Sequence, residues 1–281
     1  MYQIQRVLNN NSVLVTDSHQ EQIIFVGKGI GFHRKPMETF IYEDWMDVFR
    51  FSKSNDKGDA MEIIDSVDPV FIEISAKILH IASKRFEKVD TNILLPLADH
   101  IAFSLERMKQ NLVISNPFAN EINLLFHDEY EVALEGKKII KEACGVEISE
   151  DEIGYITLHV HSALSSEKVS ESMQAAIIIK ESIEQVEKDF HINIDMNSMS
   201  YIRLMNHMKF LLWRLQTGEK LQVDVNEFIS EKFPYAYDTA KQIGKDLSKA
   251  LKKEVSDVEI GYLALHIERI RTSELEKQSK S

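Results

Sequence analysis

Four histidines stand at matched places: His100 and His159 are 59 residues apart, and so are His207 and His266. A neutral imidazole near its ordinary pKa is a good nucleophile toward phosphorus, so these positions suit phosphohistidine chemistry. Each borders an apolar stripe at helical spacing. His100 falls among Leu97, Ile101, Ser104, Leu105 and Met108, and His207 among Leu204, Met208, Leu211 and Leu215. His159 and His266 adjoin Ile156/Val160 and Leu263/Ile267. The expectation is four half-solvated rings able to reach a partner. A lone histidine at such a place is more often a hydrogen-bonded core residue. Recurrence in both halves shifts the reading toward function, although duplicated core residues would repeat as well. Metal binding is a poor fit. No His-Glu-x-x-His occurs, and His159 and His161 point about 200° apart on a helix. Asp99, just before His100, is a candidate to orient that ring, although adjacent helical residues diverge. Asn206 lacks the charge, so the two copies should respond differently to one donor.

The elements that position these residues come in duplicate. Glu152-Ile153-Gly154-Tyr155-Ile156-Thr157-Leu158-His159 recurs as Glu259-Ile260-Gly261-Tyr262-Leu263-Ala264-Leu265-His266, 107 residues later. At the same offset Arg107 meets Arg214, and Phe126, Tyr130 and Ala133 meet Phe233, Tyr237 and Ala240. The register needs no insertion or deletion, so the chain holds two copies of one helical domain, expected at 66–170 and 171–277. Asp68-Pro69 reads as a helix start, cap then proline, and Phe71, Ile74, Ile78, Ile81 and Ala82 follow at helical spacing.

The first 50 residues differ in kind. Residues 4–8, 13–16 and 22–26 are β-branched runs split by Asn9-Asn10-Asn11 and by Asp17-Ser18-His19-Gln20, the pattern of an antiparallel meander. Gly27, Gly29 and Gly31 mark backbone with positive φ or close approach to a partner. The polar stretch 52–59 reads as a linker. A small β module therefore precedes a large all-α body.

Composition excludes several classes. With 281 residues, 44% hydrophobic and 28% charged, the chain has room for two or three domains and is not disordered throughout. Its longest apolar stretches, such as 177–179 and 93–95, are too short to cross a bilayer, and no secretion signal opens it. One cysteine, Cys144, forms no internal disulfide or metal cage, so a cytoplasmic chain is expected. Residues 1–35 carry Arg6, Lys28, Arg34 and Lys35 against Asp17 and Glu21, a balance of +2; the total of −12 leaves −14 on the other 246. An acidic body repels nucleic acid, so any such binding belongs to the amino-terminal segment.

Enzyme motifs are missing. Gly27–Gly31 lacks the Lys-Ser/Thr and the helix of a phosphate loop, and no Gly-x-Ser-x-Gly occurs. Glu43, Asp44 and Asp47 read as a solvated helix face, and Phe210 and Trp213 as core packing. In the β module Arg6, Asn9, Asn10, Asn11, Lys28 and Phe32 combine cations, amides and an aromatic ring around glycine-rich backbone. Loops and bulges in RNA are recognised by such groups through stacking and base-edge hydrogen bonds. A plain dimerisation sheet fits the composition equally.

Taken together, Val7-Leu8-Asn9-Asn10-Asn11, Gly27-Lys28-Gly29-Ile30-Gly31-Phe32 and the duplicated histidine domains resemble the BglG/SacY/LicT-type transcriptional antiterminators over essentially the whole chain. Residues 26–32, Leu158-His159-Val160-His161-Ser162-Ala163 and Asn116-Pro117-Phe118 are most similar to its glucose-specific branch. The resemblance implies a co-antiterminator RNA-binding domain over 1–58, a four-stranded antiparallel sheet that dimerises and binds a hairpin in an mRNA leader, excluding an overlapping terminator. It puts RNA contacts on Arg6, Asn11, Gly27, Lys28 and Phe32; Lys28 stands where some relatives have arginine, which forfeits a bidentate fork. The helical copies become phosphotransferase-system regulation domains, phosphorylated on His100, His159, His207 and His266. The implied donors are a sugar permease's EIIB, of glucose type, for the first copy and the carrier HPr for the second. No metal or cofactor is implied.

The expected architecture is multi-domain: a small all-β RNA-binding module and two duplicated all-α helical bundles. The expected function is a sugar-responsive antiterminator, a homodimer and not an enzyme. Two rivals stand beside it. A DNA-binding activator with the same regulation domains would need a helix-turn-helix before residue 66, and a phosphohistidine relay would use the β module only to dimerise.

Overall fold

The computed structural model describes residues 1–51, 60–112, 114–165 and 167–278. The stretch 52–59, expected as a linker, lies outside the described residues. Five strands open the chain: β1 (Tyr2–Asn9), β2 (Ser12–Thr16), β3 (Gln22–Val26), β4 (Thr39–Phe40) and β5 (Asp47–Arg50). They form one antiparallel sheet in the order β4-β1-β2-β3-β5. That is one strand more than the resemblance implied, with the two-residue β4 at an edge. Asp47 corrects a second expectation. It opens β5 opposite Val26 instead of facing solvent from a helix, because Val48 and Phe49 alternate at strand spacing and Phe49 is buried beside Ile24.

Both faces of the sheet are covered. Ile4, Val13, Val15, Ile23 and Phe25 pack with Phe40 of β4 and with Ile30 and Met46 from the module's own loops. Leu14, Ile24, Val26 and Phe49 instead join the core of the helices that follow. This two-sided burial explains why β2 and β3 read as continuous apolar runs with no alternation.

The helices are α1 (Ala60–Ser66), α2 (Pro69–Arg85), α3 (Leu94–Lys109), α4 (Ala119–Leu125), α5 (His127–Cys144), α6 (Glu150–Leu164), α7 (Val169–Phe190), α8 (Met199–Thr217), α9 (Asn226–Lys232), α10 (Pro234–Leu251) and α11 (Asp257–Gln278). Asp68 caps α2 by accepting from the Val70 amide at 2.9 Å, with Pro69 at the first position. The 107-residue register holds in three dimensions: α4 and α9 share both boundaries at that offset, as do α5 and α10.

The chain divides into two compact units. One holds Met1–Ala119 and Asp128–Val169; the other holds Asn120–His127 and Ser170–Ser281. The β module thus shares a unit with most of the first repeat, and most of α4 is counted with the second. In the first unit one core runs from Leu14 and Ile24 through Ile72, Leu79, Leu97 and Ile101 to Val132, Ile156 and Val160. In the second, Ile179, Val186, Leu204, Met208, Leu211, Ile243, Leu263 and Ile267 are buried.

Candidate functional site

In each repeat two helices bring the histidines face to face. His100 on α3 and His159 on α6 have ring centroids 4.9 Å apart at an interplanar angle of 35°. His207 on α8 and His266 on α11 repeat this at 4.9 Å and 29°. The rings are less exposed than the half-solvated expectation: the His100 side chain is 17% exposed and that of His207 8%. The apolar stripes draw them partly into the bundle.

A buried ion pair sits behind each pair of rings. Arg107 Nη2 donates to Glu152 Oε1 at 3.0 Å, and Glu152 Oε2 lies 3.5 Å from His100 Nε2. In the second repeat Arg214 forks onto Glu259 with Nε and Nη2 at 2.5 and 2.8 Å, and Glu259 Oε2 lies 3.9 Å from His207 Nε2. Burial works to raise the Glu152 pKa, but His100, Ser104 and the Arg107 charge outweigh it and hold the carboxyl below its ordinary range. Asp99 is not the carboxylate at His100. It is exposed, because neighbouring helical positions diverge by about 100°. The sequence did carry the signal for Glu152 and Glu259: each opens the repeated motif 45 residues after a repeated arginine.

The two sites differ in their surroundings. His207 and His266 line a cavity of about 310 Å³ with Arg203, Arg214, Tyr262 and Arg269. Burial, His266 and Arg214 push the His207 pKa down to about 3. Burial, Arg269 and Arg203 push His266 down to about 4. Both rings are therefore neutral imidazoles at physiological pH. Phe210 lines the same cavity and is 56% exposed, and Trp213 is 47% exposed. Neither is core, as their spacing had led one to expect; the buried stripe of α8 is Tyr201, Leu204, Met205, Met208, Leu211 and Leu212.

His161 has a structural role. Its Nδ1 lies 2.9 Å from Glu129 Oε1 and its Nε2 3.8 Å from Glu167 Oε2. Burial lowers its pKa, but the two carboxylates outweigh burial and raise it. No His/Cys/Asp/Glu cluster suited to a metal is found among the described residues.

The amino-terminal candidates gather where the β1–β2 turn meets the glycine loop. Asn9 Oδ1 accepts from the Asn11 amide and the Ser12 hydroxyl, and Asn11 Oδ1 accepts from the Gly29 amide at 2.9 Å. The Gly27 amide donates to Asn11 O at 2.8 Å, and the Gly31 amide to Asn10 O at 3.0 Å. Lys28 and Phe32 project from this frame; with Arg34 and Trp45 they line a cavity of about 340 Å³. Trp45, 54% exposed, is an aromatic group that sequence reasoning missed, since no periodicity marks a loop residue. Arg6 projects from β1 and pairs with Asp65 of α1.

The domain order has counterparts among known proteins. Residues 2–58 match the CAT RNA binding domain, and residues 73–163 and 180–270 match the PRD domain. The chain is 32% identical to the "GlcA/glcB genes antiterminator" of Staphylococcus carnosus strain TM300, over 95% of this chain and 94% of that protein. It is 33% identical to "Protein GlcT" of Staphylococcus aureus strain RF122, over 97% and 99%. A crystal structure of GlcT CAT-PRDI matches with a TM-score of 0.50 at 32% identity, covering 58% of this chain and 98% of that one. On the described residues no helix is long and apolar enough to cross a membrane. The chain belongs to the GlcT-type family of antiterminators, in which a CAT RNA-binding domain precedes two PRD domains.

Proposed function

We propose that this chain is a cytoplasmic, sugar-responsive antiterminator whose dimeric β module binds a hairpin in an mRNA leader and thereby prevents a terminator from forming. The observation that carries the regulatory half is the pair of facing imidazoles, 4.9 Å apart in both repeats, each pair backed by a buried glutamate–arginine ion pair. A phosphoryl group on such a ring adds roughly 1.5–2 negative charges by analogy with hydroxyl phosphorylation. In a symmetric dimer it would occur twice and loosen an interface between two acidic bodies. The donors on this reading are a glucose-type EIIB for His100 and His159, with inactivating effect, and HPr for His207 and His266. Arg6, Asn11, Gly27, Lys28 and Phe32 make the RNA contacts, and the domains are 1–58, 66–170 and 171–277. Exposed Ile41, Trp45 and Phe32 supply apolar surface for RNA bases or for a second module. The DNA-binding rival finds no support among the described residues before 67, which hold the five strands of the sheet and, as their only helix, the seven-residue α1.

The test uses the full chain, because a 1–60 fragment would bare Leu14, Ile24, Val26 and Phe49, which the helices cover. Binding to an antiterminator-type hairpin and to a base-substituted control is compared at fixed salt, before and after phosphorylation of the first repeat. Specific binding that weakens with loss of dimer on phosphorylation is expected. No specific binding by a confirmed unphosphorylated dimer defeats the reading.

A further inference from the structure

We propose that the second histidine pair, unlike the first, lies in a preformed receptacle for a tetrahedral dianionic oxyanion, with Arg203 and Arg269 as its cationic walls. The inference deepens the phosphohistidine reading of the same site and rests on it for the covalent source of that oxyanion.

The two sites share a frame but not a charge. At the 107-residue offset Arg203 replaces Pro96, Arg269 replaces Ser162 and Asn206 replaces Asp99. Each exchange makes the second site more positive by one unit. Arg203, Asn206 and Arg269 all line the 310 Å³ cavity with His207 and His266. Among the described residues neither arginine is in a salt bridge, so both guanidinium groups keep their donors. Arg214 differs: its fork is spent on Glu259. His266 Nδ1 and His207 Nε2 are buried with no hydrogen-bond partner among the described residues. Buried polar atoms are ordinarily satisfied, so both atoms are open to a group that is not protein; His100 Nε2 of the first pair is orphaned likewise, and it is the arginines that set the second pair apart. Guanidinium matches the oxygens of a phosphate or phosphoryl group with paired N–H donors. Each neutral ring keeps one nitrogen lone pair for phosphorus, and the arginines supply the positive charge. One such anion has two sources: free inorganic phosphate, or a phosphoryl group carried on a histidine of this site.

The test follows histidine side-chain resonances of the selectively ¹³C-labelled full chain while inorganic phosphate is added at about pH 8, where phosphate is mainly dianionic. Saturable shifts at His207 and His266, with His100 and His159 unmoved, are expected. Arg203→Gln with Arg269→Gln should weaken binding roughly tenfold or more, whereas Lys245→Gln with Lys249→Gln, which remove equal charge from α10 and not from the cavity walls on α8 and α11, should not. Because Arg203 and Arg269 are exposed, the variant is expected to keep the wild-type unfolding curve. No saturable binding, equal binding at both pairs, or binding indifferent to the arginines overturns the proposal.

A second arm separates the sources. Phosphoramidate transfers its phosphoryl group to an imidazole nitrogen; the P–N bond to ammonia breaks, a P–N bond to histidine forms, and ammonia leaves. If a phosphohistidine forms in the second repeat and free phosphate then no longer binds, the covalent group fills the receptacle. If no phosphohistidine forms while phosphate still binds selectively, the receptacle stands for a free oxyanion and the phosphohistidine reading of this site fails.

Discussion

The side-chain amide of Asn11 donates to Glu73 Oε2 at 3.0 Å, and the other oxygen of that carboxylate takes the amide of Asn9. The turn assigned to RNA recognition is therefore held by an acidic side chain of α2, and Arg6 is held likewise by Asp65 of α1. A carboxylate offers these donors what an RNA base edge or phosphate offers them, so RNA must displace it. A hydrogen bond to a charged acceptor contributes about 1.5–3 kcal/mol and a neutral one about 0.5–1.5. The substitution Glu73→Gln should thus tighten hairpin binding by the full chain roughly fivefold at fixed salt. Unchanged affinity in an anisotropy titration would show that Glu73 does not compete with RNA.

The glycine loop makes a sharper structural prediction. A Cβ on Gly31 would lie 2.1 Å from Asn9 O, a backbone atom that cannot swing aside. A Cβ on Gly29 meets nothing within 4 Å, and only its φ of +77° opposes a side chain. Gly29→Ala should cost about 1–2 kcal/mol, the left-handed penalty alone. Gly31→Ala must move the β1–β2 turn and should cost more, with loss of RNA binding. Denaturant unfolding of the two variants ranks them; equal costs would contradict the close approach.

Much of this was legible beforehand. The duplication, the three long strands and the Asp68 cap follow from spacing and turn chemistry, which are local. The histidine pairs were visible as residues but not as pairs, because a separation of 59 residues carries no distance until α3 and α6 pack. Glu152 and Arg107 were visible as repeats without a role, since an ion pair 45 residues apart is a tertiary fact. Asp47 and Phe210 misled for one reason. Periodicity marks a face but not which neighbour covers it, and β3 captured the first while the histidine cavity left the second open.

The buried ion pairs should behave as units. In the second repeat Arg214→Met would leave the Glu259 carboxyl, 6% exposed, without its cation. Breaking such a pair costs about 3–5 kcal/mol, whereas replacing both partners by apolar groups is often nearly neutral. Arg214→Met should therefore be far more damaging than Arg214→Met with Glu259→Met. A double-mutant cycle by urea unfolding reads the coupling, and strictly additive effects would mean that the carboxyl finds water once the arginine is gone.

Acid should act on the second histidine pair before it acts on most carboxylates. The folded pKa values of about 3 for His207 and about 4 for His266 lie below the ordinary 6.5. Between about pH 6.5 and 4 the unfolded chain binds protons that the folded chain refuses, so stability falls as pH falls through that window. The sign is opposite to that of a histidine stabilised by a carboxylate, such as His161, whose pKa is raised. His207 and His266 resonances should stay at their neutral positions down to about pH 5. Substituting His207→Gln removes one of the two suppressed protonations and should flatten the pH dependence of the unfolding midpoint over the same window. A His207 resonance that titrates near 6.5 would mean that the ring is hydrated, and the neutral, phosphorus-directed imidazole assigned to this site would go with it.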